Sequence, residues 1–374
     1  MKAAILTFHR AHNYGAVLQC YALNKALSKE NIECVTVDYW PEIFKTIYYY
    51  EAKPSLSLKF LKKFIRCVQL RNILKKRNSA FENFIESRIP LTDKTYYNKS
   101  ELKKKELDFD VFITGSDQVW NDRCAAFDPV YFLDFDAANN AKKYSYAASF
   151  GFKSIPEKLI DEYKRRLSGF EAYSVRESQG KNIIKNLLEK EAIQCCDPTL
   201  LLDKEEWLEL GDGTAQEEYI LMYYVTSPNT LRKIAMEIAK IKKCKVIAIP
   251  CQISYQGLSG KMDRRCGFEV KNCCGPEEFI SLFANARYVL TNSFHGTVFS
   301  LIFHKKFLVQ TELDVGKQND RAKSLLEIAN LENRTLENNE IDIEENIDWE
   351  DVDSRLNMLR SESINYIKSI GRNA

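Results

Sequence analysis

Short apolar runs alternate with stretches of helical spacing along most of the chain. Lys2 to Phe8 is largely apolar and ends in a polar loop, His9-Arg10-Ala11-His12-Asn13-Tyr14-Gly15, the pattern of a strand buried on both faces. Ala16 to Leu27 repeats apolar positions every three or four residues, which predicts a helix, and Cys34-Val35-Thr36-Val37-Asp38 reads as a second strand. Strand, helix and strand in this order make a βαβ unit. Further strands are predicted at Val111 to Thr114, Tyr144 to Ala148, Ala172 to Val175, Ile220 to Val225, Lys245 to Ile249 and Tyr288 to Thr291. Helical patterns at Pro156 to Leu167, Thr230 to Ile241 and Pro276 to Asn285 separate several of them. Such alternation implies an α/β protein with parallel sheets flanked by helices, twice over: two Rossmann-like domains. The seam is expected within Asp203 to Glu218, which divides the chain into 1–205 and 206–374. A last helical pattern, Trp349 to Ile370, has no strand partner and is expected to pack back on the N-terminal domain.

Composition narrows the functional classes. A chain of 374 residues suits two domains, at about 150 residues each. Its 45% hydrophobic and 28% charged residues supply two cores and exclude disorder as the dominant state. Lys+Arg is 54 and Asp+Glu is 52, so the net charge of +2 argues against a uniformly basic nucleic-acid binder. No run of 18 apolar residues exists, and the N-terminal apolar run is too short for a signal peptide. Together with eleven Cys, an odd number, this points to a reducing cytoplasm. Cys244, Cys251, Cys266 and Cys273 cluster, but their gaps exceed the spacing that presents two ligands to one zinc ion. Buried or loop thiols are expected, and no metal.

Four polar segments follow predicted strands, where open α/β sheets bind ligands. His9 to Gly15 offers a glycine and a helix N-terminus. In Gly115-Ser116-Asp117-Gln118-Val119-Trp120, Asp117 either orients a hydroxyl or caps a helix. Arg176, in Ser174-Val175-Arg176-Glu177, either binds an anion or pairs with a carboxylate. Thr291-Asn292-Ser293-Phe294-His295-Gly296 places one of only four His at a strand end that opens a helix.

These segments, with Asn13 to Gln19, Asp197-Pro198-Thr199-Leu200 and Asn319-Asp320-Arg321, resemble in order and spacing the polysaccharide pyruvyltransferase family. The resemblance implies a GT-B-like arrangement with an interdomain cleft. It also implies transfer of the enolpyruvyl unit of phosphoenolpyruvate onto two hydroxyls of a sugar, giving a cyclic pyruvate ketal and phosphate. Phosphoenolpyruvate is then a co-substrate, and no cofactor is needed. His295 matches the family's histidine and is expected to protonate the donor, with Asp117 as base or hydroxyl orienter. Arg176, Asn292, Ser293, Lys317 and Arg321 are expected at the phosphoenolpyruvate, and His9, His12, Asn13, Tyr14 and Gln118 at the acceptor. Many members carry an arginine where this chain has Ser293, so another group must anchor the anion. The competing readings are a GT-B glycosyltransferase using a nucleotide sugar and a non-catalytic relative that binds glycan or membrane.

The near-zero charge hides a local imbalance. No acidic residue lies between Glu51 and Glu82, whereas Lys59, Lys62, Lys63, Arg66, Arg71, Lys75, Lys76 and Arg77 do, interleaved with apolar residues at near-helical spacing. Segment 57–78 is read as an amphipathic helix of the N-terminal domain on its acceptor side. It either packs internally or contacts an anionic membrane through Lys59 to Arg77. The second reading fits an acceptor on a polyprenyl-diphosphate carrier at the inner face of the cell membrane.

Overall fold

In a computed structural model, residues 1–48, 58–211, 218–251, 260–313, 319–337 and 342–373 are described, with side chains left aside for 58–70 and 373. The chain is mixed α/β with parallel sheets. The first sheet has the order β2-β1-β3-β4, from strands Lys2–Leu6 (β1), Glu33–Thr36 (β2), Val111–Thr114 (β3) and Lys142–Ser145 (β4), all parallel. Strands Tyr173–Val175 (β5) and Ala192–Gln194 (β6) pair in parallel and are bridged to β4 and the loop after it, Tyr144 to Ala172 and Ala148 to Val175. The second sheet has the order β11-β10-β7-β8-β9. Its parallel strands are Tyr219–Tyr224 (β7), Lys245–Pro250 (β8), Glu269–Val270 (β9), Tyr288–Thr291 (β10) and Lys306–Val309 (β11).

Burial on both faces explains why the central strands are almost purely apolar. Ala3 to Leu6, Val111 to Ile113 and Ile220 to Tyr223 are fully buried. Aromatic side chains dominate the surrounding core. Trp120 packs on Phe132, Phe150 and Phe170 in the first unit; Phe279, Phe283 and Phe299 pack together in the second.

The chain forms two compact units: Met1–Tyr49 with Ile85–Leu202 and Asn357–Ala374, and Tyr50–Phe84 with Asp203–Leu356. The C-terminal helix Trp349–Asn373 therefore ends in the first unit. There Ser363 Oγ accepts from the Cys196 N–H at 2.9 Å, and the Tyr366 hydroxyl donates to the Ser145 carbonyl at 2.9 Å.

The basic segment lies in a long helix, Leu58–Arg88. Residues up to Phe84 group with the second unit, not with the N-terminal domain to which the sequence reading assigned them. The reason is polar as well as apolar. Arg77 is buried, and its guanidinium donates to the carbonyls of Cys251 (2.7 Å) and Asn272 (3.4 Å). Arg77 is thus an inward staple rather than a cation for a membrane, while Arg71, Lys75 and Lys76 are exposed. Among the described residues, no helix is long and apolar enough to cross a membrane.

Candidate functional site

Each sheet reverses its strand order once, and the chemistry-bearing loops follow the strands at that point. In the first unit the reversal lies between β1 and β3. Gln19, on the helix Tyr14–Lys29, ties the two loops together. Its amide donates to Thr7 Oγ1 at 2.8 Å, and its side-chain oxygen accepts from the Ser116 N–H at 3.0 Å. Thr7 Oγ1 in turn donates to the Ser116 carbonyl at 3.0 Å.

The loop after β1 is built on a buried ion cluster. Asp38 accepts from Arg10 through both oxygens, at 2.7 and 2.8 Å, and pairs with His9 Nε2 at 3.1 Å. Burial pushes the Asp38 carboxyl up, but the bonds from His9 and Arg10 outweigh it and hold it well below the usual carboxylate range. His9 is fully enclosed, its other ring nitrogen facing the Thr7 carbonyl at 3.3 Å. Of the residues expected at the acceptor, His9, His12 and Tyr14 are buried, and the His12 ring lies 5.3 Å from the Tyr48 ring. Asn13 caps the following helix, accepting from the Gly15 and Ala16 N–H groups at 3.0 and 3.4 Å. It and Gln118 are the partly exposed members of the expected acceptor set.

The loop after β3 begins at Gly115, whose φ of +110° suits glycine, and where an added Cβ would collide with the Tyr146 carbonyl. Asp117 follows with φ +72° and caps no helix; its carboxylate accepts from the Gln118 N–H at 2.8 Å. Arg176 stands 3.8 Å away and pairs with Glu177 (3.0 Å) and Asp197 (2.8 Å). Burial opposes its charge, yet the carboxylates of Glu177, Asp197 and Asp117 more than compensate and keep it protonated. A guanidinium matched by three carboxylates has no net positive charge to offer an anion. Of the two sequence readings of Arg176, the geometry has the carboxylate pairing.

In the second unit the reversal lies between β7 and β10. Asn292, after β10, accepts from the Val225 N–H at 2.8 Å and donates to Thr226 Oγ1 at 3.0 Å, bridging the two loops. Asn319 donates to the Asn292 carbonyl at 3.1 Å. Ser293 occupies the N-cap of the helix Phe294–Ile302, without a side-chain capping bond, and no acidic residue lies in the first turn. His295 sits in that turn, 6% exposed. The helix can approach β10 this closely because position 296 is glycine: a Cβ there would overlap Thr291 Oγ1. Arg321, in the first turn of the helix Asp320–Ile328, lies 5.9 Å over the Phe294 ring, and that ring meets the His295 ring edge-on at 5.1 Å. The structure thus brings His295, Ser293, Asn292 and Arg321 to one strand end. Lys317 lies outside the described residues.

The family model for polysaccharide pyruvyl transferase matches residues 13–309, from the helix after β1 to the end of β11. The chain belongs to the polysaccharide pyruvyl transferase family. The loops after β3, β7 and β10 and His295 fall inside the matched span; the loop after β1 precedes it except for Asn13, and Arg321 lies beyond its end. No curated protein matches the chain. Among solved structures it is similar to a Methanocaldococcus jannaschii UDP-GlcNAc 2-epimerase in complex with UDP-GlcNAc and UDP, at 13% identity, all of both chains covered and TM-score 0.49. A Neisseria meningitidis UDP-GlcNAc 2-epimerase bound to UDP-GlcNAc gives 10% identity over 100% of this chain and 99% of that one, TM-score 0.48. A Streptomyces sp. SF2575 glycosyltransferase complexed with thymidine diphosphate gives 9%, 100% and 99%, TM-score 0.43.

Residues that sequence reasoning left without a role are Asp38, Gln19, Asp197, Asn319 and Thr226. Gln19, Asp197 and Asn319 lie in the segments that carry the family resemblance, so the signal for them was present. Asp38 is 28 residues from Arg10, and nothing local marks the pairing.

Proposed function

We propose that this polysaccharide pyruvyl transferase moves the enolpyruvyl unit of phosphoenolpyruvate onto two hydroxyls of one sugar in a surface-polysaccharide precursor. The observation that carries the reading is the turn after β10, where His295 opens a helix with no acidic residue in its first turn and Arg321 lies one ring away. Phosphoenolpyruvate presents phosphate and carboxylate, which free N–H groups at a helix N-terminus and a guanidinium both favour. Arg321 takes the place of the family arginine that Ser293 lacks.

His295 gives a proton to the methylene carbon C3, which leaves C2 cation-like. One sugar hydroxyl adds to C2 and loses its proton to a base, for which Asp117 is proposed. Phosphate departs with the C2–O bond pair and takes up the proton held by the base, and the second hydroxyl closes the ring as its proton returns to His295, so the products are the cyclic ketal and inorganic phosphate. Arg176 serves as a positioning residue that fixes the Asp117 loop. Asn13 and Gln118 are proposed for acceptor hydroxyls. The acceptor is carried on polyprenyl diphosphate at the inner face of the cell membrane.

Incubation with phosphoenolpyruvate and polyprenyl-diphosphate-linked sugars tests this. The expected result is acceptor-dependent phosphate release with a mass gain of one pyruvate less water. Turnover of a nucleotide sugar, with phosphoenolpyruvate untouched, would replace the reading by a glycosyltransferase.

A further inference from the structure

We infer that the second unit carries a docking surface for an anionic lipid bilayer, shared by the long basic helix and the short helix Lys261–Arg265. The two are attached in the same manner, each through a buried polar side chain that faces inward. In the long helix this is Arg77, bonded to the carbonyls of Cys251 and Asn272. In the short helix it is Asp263, fully buried, which accepts from the Tyr224 hydroxyl at 2.7 Å and from Arg232 Nε at 2.6 Å.

With those residues turned inward, cations are left outside. Arg71, Lys75 and Lys76 are exposed on the long helix; Lys261, Arg264 and Arg265 are exposed on the short one, beside an exposed Met262. The only acidic residue of the short helix is the buried Asp263. Among the described residues none of the six cations is in an ion pair. The nearby carboxylates Glu269 and Glu278 are taken up by Lys271, at 3.0 and 3.5 Å.

Both helices are fastened at the carboxyl end of the same sheet edge. Gly260, which precedes the short helix, sits against the Val270 side chain at the end of β9, and Asn272, two residues on, receives Arg77. Ala80, one turn beyond Arg77, touches Gly275. Basic side chains without counter-charges next to an exposed methionine match an anionic headgroup layer with an apolar interior. The surface is independent of the reaction assigned to the fold.

Flotation of the full chain with vesicles tests this. The protein is expected to float with phosphatidylcholine vesicles containing about 30% phosphatidylglycerol and not with pure phosphatidylcholine, anionic charge being the attractor. Raising salt to about 0.5 M should release it. Arg264→Gln with Arg265→Gln, and separately Lys75→Gln with Lys76→Gln, should each weaken binding, by about fivefold per cation removed. Circular dichroism checks that both variants fold. Unchanged binding in either folded pair, equal binding to neutral vesicles, or preference for a DNA competitor over the anionic vesicles would overturn the assignment.

Discussion

The two sheets end in loops of opposite electrostatic character, although topology makes the two positions equivalent. In the first unit the loops after β1 and β3 rest on buried ion pairs: Asp38 with His9 and Arg10, and Arg176 with Asp117, Glu177 and Asp197. In the second unit the loops after β7 and β10 are tied by neutral bonds of Asn292 and Asn319, and among the described residues His295 and Arg321 stand at that end. A carboxylate-rich end suits hydroxyl ligands and proton acceptance. An end of helix N–H groups, imidazole and guanidinium suits a dianion. In the proposed reaction the same switch-point geometry serves two different jobs, decided by side chains rather than by backbone plan.

The largest expected effect falls on the ionic side. Asp38→Asn removes the buried carboxylate that pairs with Arg10 and His9 and should cost about 3–5 kcal/mol of unfolding free energy in urea titration. Because the folded Asp38 carboxyl is depressed, its contribution is present above the ordinary carboxylate value and is lost as pH falls toward the folded value. The stability gap between wild type and variant should accordingly narrow in acid; a constant gap would separate the loss from the charge. His295→Gln is expected to lower ketal formation at least about a hundredfold with little change in thermal midpoint. A comparable loss of stability would make His295 structural, and the contrast between the units would fail. Gln19→Leu strands the buried Ser116 N–H and should cost about 1–3 kcal/mol, measured by the same urea titration. Smallest is Arg321→Gln, expected to raise KM for phosphoenolpyruvate about tenfold and to leave kcat nearly unchanged. An effect confined to kcat would remove Arg321 as the anion anchor.

Most of the sheet framework was legible because its signals are local. Val111–Thr114 and Tyr288–Thr291 are apolar runs bounded by polar loops, and the helix Pro276–Asn285 begins at a proline that suits a first helical turn. Strands β6, β9 and β11 were missed. β6 and β9 are three and two residues long and contain Gln194 and Glu269, so no apolar run marks them; β11 has only the three-residue run Phe307-Leu308-Val309, too short to set it apart. Within the site, positions were readable and partners were not. Arg176 stood visibly past a strand, but Asp197, 21 residues on, is what satisfies it. Arg77 read as one more cation of an amphipathic helix; only the carbonyls of Cys251 and Asn272, 174 and 195 residues away, show that it faces inward. Pairings of that range are set by tertiary packing, and no periodicity encodes them.

The most direct test of pyruvyl transfer follows the donor's own bond. Wild-type protein and His295→Gln are incubated with phosphoenolpyruvate in deuterated water, with a polyprenyl-diphosphate-linked sugar as acceptor, and the acceptor is analysed by mass spectrometry. The account predicts a ketal whose methyl group carries one solvent deuterium in the wild-type reaction, together with released phosphate, and neither product above background with the variant. Equal product from both proteins, or phosphate release with no change in the acceptor, would contradict it.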